Sequence, residues 1–133
     1  MLFELFTAYP PTVNNYYVKT HRNVHISSKG KKFADQLAKD AAEQIGGMPM
    51  ITEKVAIDII AYVPDLRKRD MDNILKPIFD SMTRAGLWED DSLVDQIRVY
   101  RGAKTPGGSL YISVSEAAFT IPLGMHHIIH AGE

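Results

Sequence analysis

Residues 53–84, EKVAIDIIAYVPDLRKRDMDNILKPIFDSMTR, change their hydrophobic period across a basic turn. From Glu53 to Val63 apolar residues alternate, with Val55, Ile57, Ile59, Ala61 and Val63 on one face and Lys54, Asp58 and Tyr62 on the other. That is the pattern of a half-buried strand, and Pro64 closes it. Beyond Arg67-Lys68-Arg69, the residues Ile74, Leu75, Ile78, Phe79 and Met82 recur at helical spacing. They predict a helix from about Met71 to Arg84, with Asp70 as its N-cap and Gly86 as its stop. Pro77 inside it denies a hydrogen bond to the Asn73 carbonyl, which predicts a kink just after the two acids.

Working outward, Leu2 to Phe6 read as a short strand that ends before Pro10-Pro11. Pro10 to Ser27 is long for a loop, and Tyr16-Tyr17-Val18 and Val24-His25-Ile26 form a hairpin candidate around Lys19 to Asn23. Its tyrosines and cations suit bases and phosphates, and they equally suit the edge of a core. Ser27 or Ser28 caps a second helix with Phe33, Leu37, Ala41 and Ile45 as its stripe, ended by Gly46-Gly47. Lys29, Lys31 and Lys32 crowd its first turn, where the helix dipole disfavours cations by about 0.3 kcal/mol or more each. An anion near that end accounts for them, as does a solvated face. Downstream, Leu93–Arg101 and Leu110–Ser115 predict two strands, paired as a hairpin through the turn formers of 102–108. The order β-α-β-α-β-β predicts an α+β, two-layer fold, a mixed sheet of about four strands with two helices on one face.

Composition narrows the chemistry. The chain has 133 residues, 45% of them hydrophobic, which suits a single domain with a real core. No segment approaches a membrane span and the start lacks a signal pattern, so a cytoplasmic location is expected. There is no cysteine, which leaves Asp, Glu and His as metal ligands and favours hard, oxygen-ligated ions. The net charge of −1 conceals an asymmetry: residues 1–69 hold ten Lys/Arg against seven Asp/Glu, and residues 70–133 hold five against nine. Lys19, Arg22, Lys31 and Lys32 lie in a stretch with no acid between Leu5 and Ala34, a phosphate-contacting surface in the making.

Asp70-Met71-Asp72 alone admits a structural reading, as acids at a helix N-terminus. Asp72, Lys76 and Asp80, at i, i+4 and i+8, likewise read as a surface ion-pair ladder worth about 0.3–0.5 kcal/mol per pair. The joint arrangement adds something neither explains. Arg67, Lys68 and Arg69 precede the acids, Lys76 follows one turn on, and Asp90-Asp91 come after Gly86-Leu87-Trp88. Carboxylates hold Mg²⁺ while Arg and Lys take phosphate oxygens, so the blocks together suit a metal-dependent cut in a phosphodiester.

The run Arg69-Asp70-x-Asp72-Asn73-x-x-Lys76, then Phe79-Asp80, Gly86, Trp88, Asp90-Asp91 and Val94, closely resembles the RusA family of Holliday-junction resolvases, often phage-encoded. Pro10-Pro11, Asn14-Asn15, Ser27-x-x-Gly30 and Gly107-Gly108 resemble it too. The resemblance covers residues 2–115, so residues 1–116 form the endonuclease domain and residues 117–133 an extension without a counterpart. It implies a homodimeric endodeoxyribonuclease that cuts four-way DNA junctions with Mg²⁺, for which Mn²⁺ should substitute. Carried over by position, Asp70, Asp72 and Asp91 are the metal-binding and catalytic acids, with Asp90 the rival of Asp91, and Lys76 is the catalytic lysine. Arg67, Lys68, Arg69, Lys19, Arg22, Lys31 and Lys32 are the expected DNA contacts. The other reading is a dimeric branched-DNA-binding protein that does not cut, although such a binder gains nothing from acids facing phosphate. His126 and His130, at i, i+4 in the tail, are left out of the site.

Overall fold

The molecule is described over residues 1–118 by a computed structural model. Strand β1 (Phe3–Ala8) turns Phe3, Leu5 and Thr7 inward. After the prolines comes a single helical turn, α1 (Val13–Tyr16), where the sequence predicts loop. The expected hairpin follows, β2 (Tyr17–Lys19) against β3 (Val24–Ile26), with Tyr17 opposite Ile26. Helix α2 (Ser28–Ile45) begins where the Ser27 hydroxyl accepts the Gly30 N–H at 3.0 Å, and it ends at Gly46 in the left-handed region.

Strand β4 (Val55–Tyr62) alternates as its sequence requires, burying Val55, Ile57, Ile59 and Ala61. The following helix departs from its expected form. Met71–Ile74 is a 3-10 turn, and only Leu75–Arg84, α3, is α-helical. Pro77 accounts for the difference. It is the third residue of α3, within the first turn where its missing N–H is not needed, and the backbone before it winds more tightly. Asp70 occupies the N-cap position, but its side chain makes no capping hydrogen bond, contrary to expectation.

A second 3-10 turn, Asp91–Leu93, leads into β5 (Val94–Gly102), and β6 (Ser109–Glu116) completes the strands. The larger sheet has the order β1-β6-β4-β5, with β4 and β5 parallel and the other pairs antiparallel. The expected hairpin of β5 with β6 is therefore absent: β4 lies between them. Each strand shows why. β6 buries Leu110, Ile112, Ser113 and Val114 and sits centrally, whereas β5 carries Asp95, Gln96, Arg98 and Arg101 and takes the edge.

Helices α2 and α3 share one core with the inward sheet residues, contributing Phe33, Leu37 and Ala41, and Ile78 and Met82. The turn after α3 is fixed by Trp88, fully buried, whose indole N–H donates to the Thr83 hydroxyl at 2.7 Å and whose ring meets Phe79 edge-on at 5.8 Å. Backbone bonds tie this turn to Ile51: Ile51 N–H to the Leu87 carbonyl at 3.1 Å, and Glu89 N–H to the Ile51 carbonyl at 2.9 Å. Asp90 and Asp91 thus leave a rigid point of the core. No described helix is long and apolar enough to cross a membrane. The histidines of the tail lie outside the described residues.

Candidate active site

The basic loop between β4 and the 3-10 turn is organised by an acid. The Asp65 carboxylate accepts from the Arg67 N–H at 2.9 Å and from the Arg67 Nε at 3.2 Å, and it takes the fork of the Arg69 guanidinium. These bonds, the Arg69 fork first, hold the Asp65 carboxyl far below the usual carboxylate range. Arg101, from β5, donates to the Arg69 carbonyl at 2.7 Å and so pins the residue before Asp70. The Arg69 side chain is only 19% exposed and engaged with Asp65, while that of Arg67 is 81% exposed. Lys68 is exposed and forms no ion pair among the described residues.

Asp70 and Asp72 are exposed at the start of the 3-10 turn, and neither side chain is spent on a hydrogen bond or ion pair among the described residues. Downstream, Lys76 reaches forward: its Nζ lies 3.5 Å from Asp80, so the i, i+4 pair expected from the sequence forms on that side. Asp90 is committed locally. Its carboxylate accepts the Ser92 N–H at 3.1 Å, which caps the second 3-10 turn; the Ser92 side chain first, and then this N–H, hold its carboxyl below the usual carboxylate range. Asp91, partly buried, returns beside Asp80. Both line a cavity of about 350 Å³ with Tyr16, Tyr17 and Asp90, and the Asp80 pKa is raised by burial and then by the charge of Asp91.

A second cavity, about 610 Å³, is lined by Lys76, Lys19, Asn14, Val13, Val24 and Tyr17. Lys19 is therefore brought beside Lys76, and Arg22 stands exposed in the adjoining hairpin turn. Lys31 and Lys32 lie elsewhere, on the first turns of α2. Lys31 pairs with Asp35 at 2.9 Å, and Lys32 lines a shallow cavity with Tyr9 and Lys29.

The donor chemistry fits Mg²⁺: exposed carboxylates, no thiol, and cations placed for phosphate. Among the described residues, however, no three acids or histidines are grouped as one cage, so Asp70, Asp72 and Asp91 are not gathered around a single point. Mg²⁺ is commonly held by one or two carboxylates together with water and substrate phosphate, and the open arrangement accords with that habit. Sequence reasoning missed Asp65, although its spacing of four from Arg69 was a signal. Tyr17 reads in the sequence as a stacking or core residue, and no pattern places its ring beside Lys76.

Exposed carboxylates and a lysine, led in by a cationic loop on a small α+β frame, are the groups a nuclease-type protein uses. The chain belongs to the RusA endodeoxyribonuclease family, whose profile matches residues 8–115. It is 40% identical over 117 residues to the crossover junction endodeoxyribonuclease RusA of Enterobacteria phage HK97, covering 86% of this chain and 94% of that protein. It is 36% identical over 118 residues to proteins of the same description from Escherichia coli K12 and Shigella sonnei, again covering 86% of this chain and 94% of each.

Proposed function

We propose that this protein is a Mg²⁺-dependent endonuclease that resolves four-way DNA junctions by paired phosphodiester cuts, acting as a homodimer. The observation that supports it best is the pair of exposed, unbonded carboxylates of Asp70 and Asp72 directly after a loop of cations. Acids serving only as helix caps would be hydrogen-bonded to the turn they begin, and Asp70 is not. With Asp90 occupied by Ser92, Asp91 is the better candidate of that pair to face the metal.

In this reading Asp70, Asp72 and Asp91 would offer carboxylates to Mg²⁺ from separate points of an open site, one or two to an ion, with water and substrate phosphate completing its shell; the ion, when bound, would make water a better nucleophile and offset the charge of the scissile phosphate. Lys76 donates through its Nζ to the phosphate oxygens as negative charge develops there. Arg67, Lys68, Lys19 and Arg22 contact neighbouring phosphates, and Arg69 shapes the loop while its fork stays on Asp65. Backbone contacts favour recognition by shape over base edges.

Incubation with four-way, Y-shaped and linear DNA, each with Mg²⁺ and with excess chelator, tests the reading. Cleavage confined to the four-way junction and to Mg²⁺ or Mn²⁺ is expected. Full cleavage in chelator, or equal cleavage of linear duplex, contradicts it.

A further inference from the structure

We propose that Tyr17 is the positioning residue of Lys76. The Lys76 ammonium lies 5.7 Å from the centroid of the Tyr17 ring and 3.5 Å from the Asp80 carboxylate. A cation within about 6 Å of an aromatic face is attracted by the ring quadrupole. Ring and carboxylate thus bracket an ammonium whose side chain is otherwise 62% exposed.

The ring is itself held in place from α3. Tyr16 is fully buried, and its hydroxyl shares a 2.8 Å hydrogen bond with the Ser81 hydroxyl, one residue from Asp80. Tyr17 packs edge-on against Tyr16 with centroids 4.7 Å apart. The helix that carries Lys76 therefore also anchors the hairpin that supplies its seat. Tyr17 forms a wall of both cavities, the one that holds Lys76 and the one that holds Asp91.

The Tyr17 hydroxyl is buried and has no hydrogen-bond partner among the described residues, so the ring face is the part in use. A lysine on a flexible stem gives little catalysis unless its donors already point to where charge will develop. The Tyr17 face narrows that freedom.

This inference rests on the reading of Lys76 as the charge-stabilising group, and the experiment separates the two. In metal-free, DNA-free protein, the ε-methylene protons of Lys76 should be shifted upfield by the ring current of Tyr17. The shift should persist in Tyr17→Phe and vanish in Tyr17→Leu. Under single-turnover conditions Tyr17→Leu should lower the cleavage rate about three- to tenfold with junction affinity unchanged, and Tyr17→Phe should restore most of that rate. In a Lys76→Ala background, Tyr17→Leu should add no further loss. An unshifted Lys76 signal in the unaltered protein, or an additional loss in the Lys76→Ala background, overturns the role of Tyr17. Wild-type cleavage by Lys76→Ala instead overturns the reading of Lys76 itself.

Discussion

Asp65 decides which of its neighbours can meet a phosphate. It takes the Arg69 fork and draws the chain into the bend that presents Asp70, while Arg67, paired with the same carboxylate, stays exposed and Lys68 has no ion pair among the described residues. Its depressed pKa carries a sign: order that depends on the ionised form is present above the unfolded value and lost as pH falls through the lower, folded one. Amide exchange of Arg67, whose N–H donates to Asp65, should therefore stay protected as pH falls through about 4, the ordinary carboxylate range. Protection should disappear only well below that, and Asp65→Asn should weaken it at every pH. A protection midpoint near the ordinary value would show that the contact does not persist in solution.

The joint between the hairpin and α2 shows how one missing Cβ places a side chain some distance away. A Cβ on Gly30 would collide with the Tyr16 carbonyl, which accepts the Ser27 N–H at 2.8 Å, and would meet Ile26 at 2.9 Å. Inside a helix Gly→Ala ordinarily stabilises by about 0.5–1 kcal/mol. Here backbone overlap dominates, at a cost of about 1–3 kcal/mol, so Gly30→Ala should lower the melting temperature. A higher melting temperature would mean that the hairpin is not clamped as described.

Such elements differ in how much of them their own residues reveal. The alternation of β4, the Ser27 cap and the Gly46 stop are local signals, and each formed where the sequence placed it. The pairing of β5 with β6 did not form, because a loop of turn formers specifies a reversal and leaves open which strand lies alongside. Burial on both faces of β6 and the charges of β5 held that information, but as partner choice across the sheet. In the site, the acids and Lys76 were legible as a motif. The contact of Lys76 with Tyr17 was not, since it joins residues 59 positions apart through the packing of Tyr16 on Ser81.

The described residues present one candidate site per chain, and on the proposed reading resolving a junction takes two cuts in strands of like polarity. A two-fold dimer supplies the second site without dissociation between cuts. Light scattering at working concentration should therefore give the mass of two 14.9 kDa chains. A monomeric mass with activity intact contradicts the paired mechanism.

Asp70 links these levels, being held by the Arg69 and Arg101 contacts, placed at the mouth of the 3-10 turn, and assigned to chemistry. Because its side chain caps nothing, Asp70→Asn should cost the fold little, about a few tenths of a kcal/mol. On the proposed reading it removes a negative charge beside DNA and one of the carboxylates offered to Mg²⁺. The measurement to make is cleavage and binding of a four-way junction by Asp70→Asn, side by side with the unaltered protein in Mg²⁺. Cleavage should be abolished while junction affinity holds or rises, whereas cutting at near the unaltered rate would leave Asp70 outside the active site.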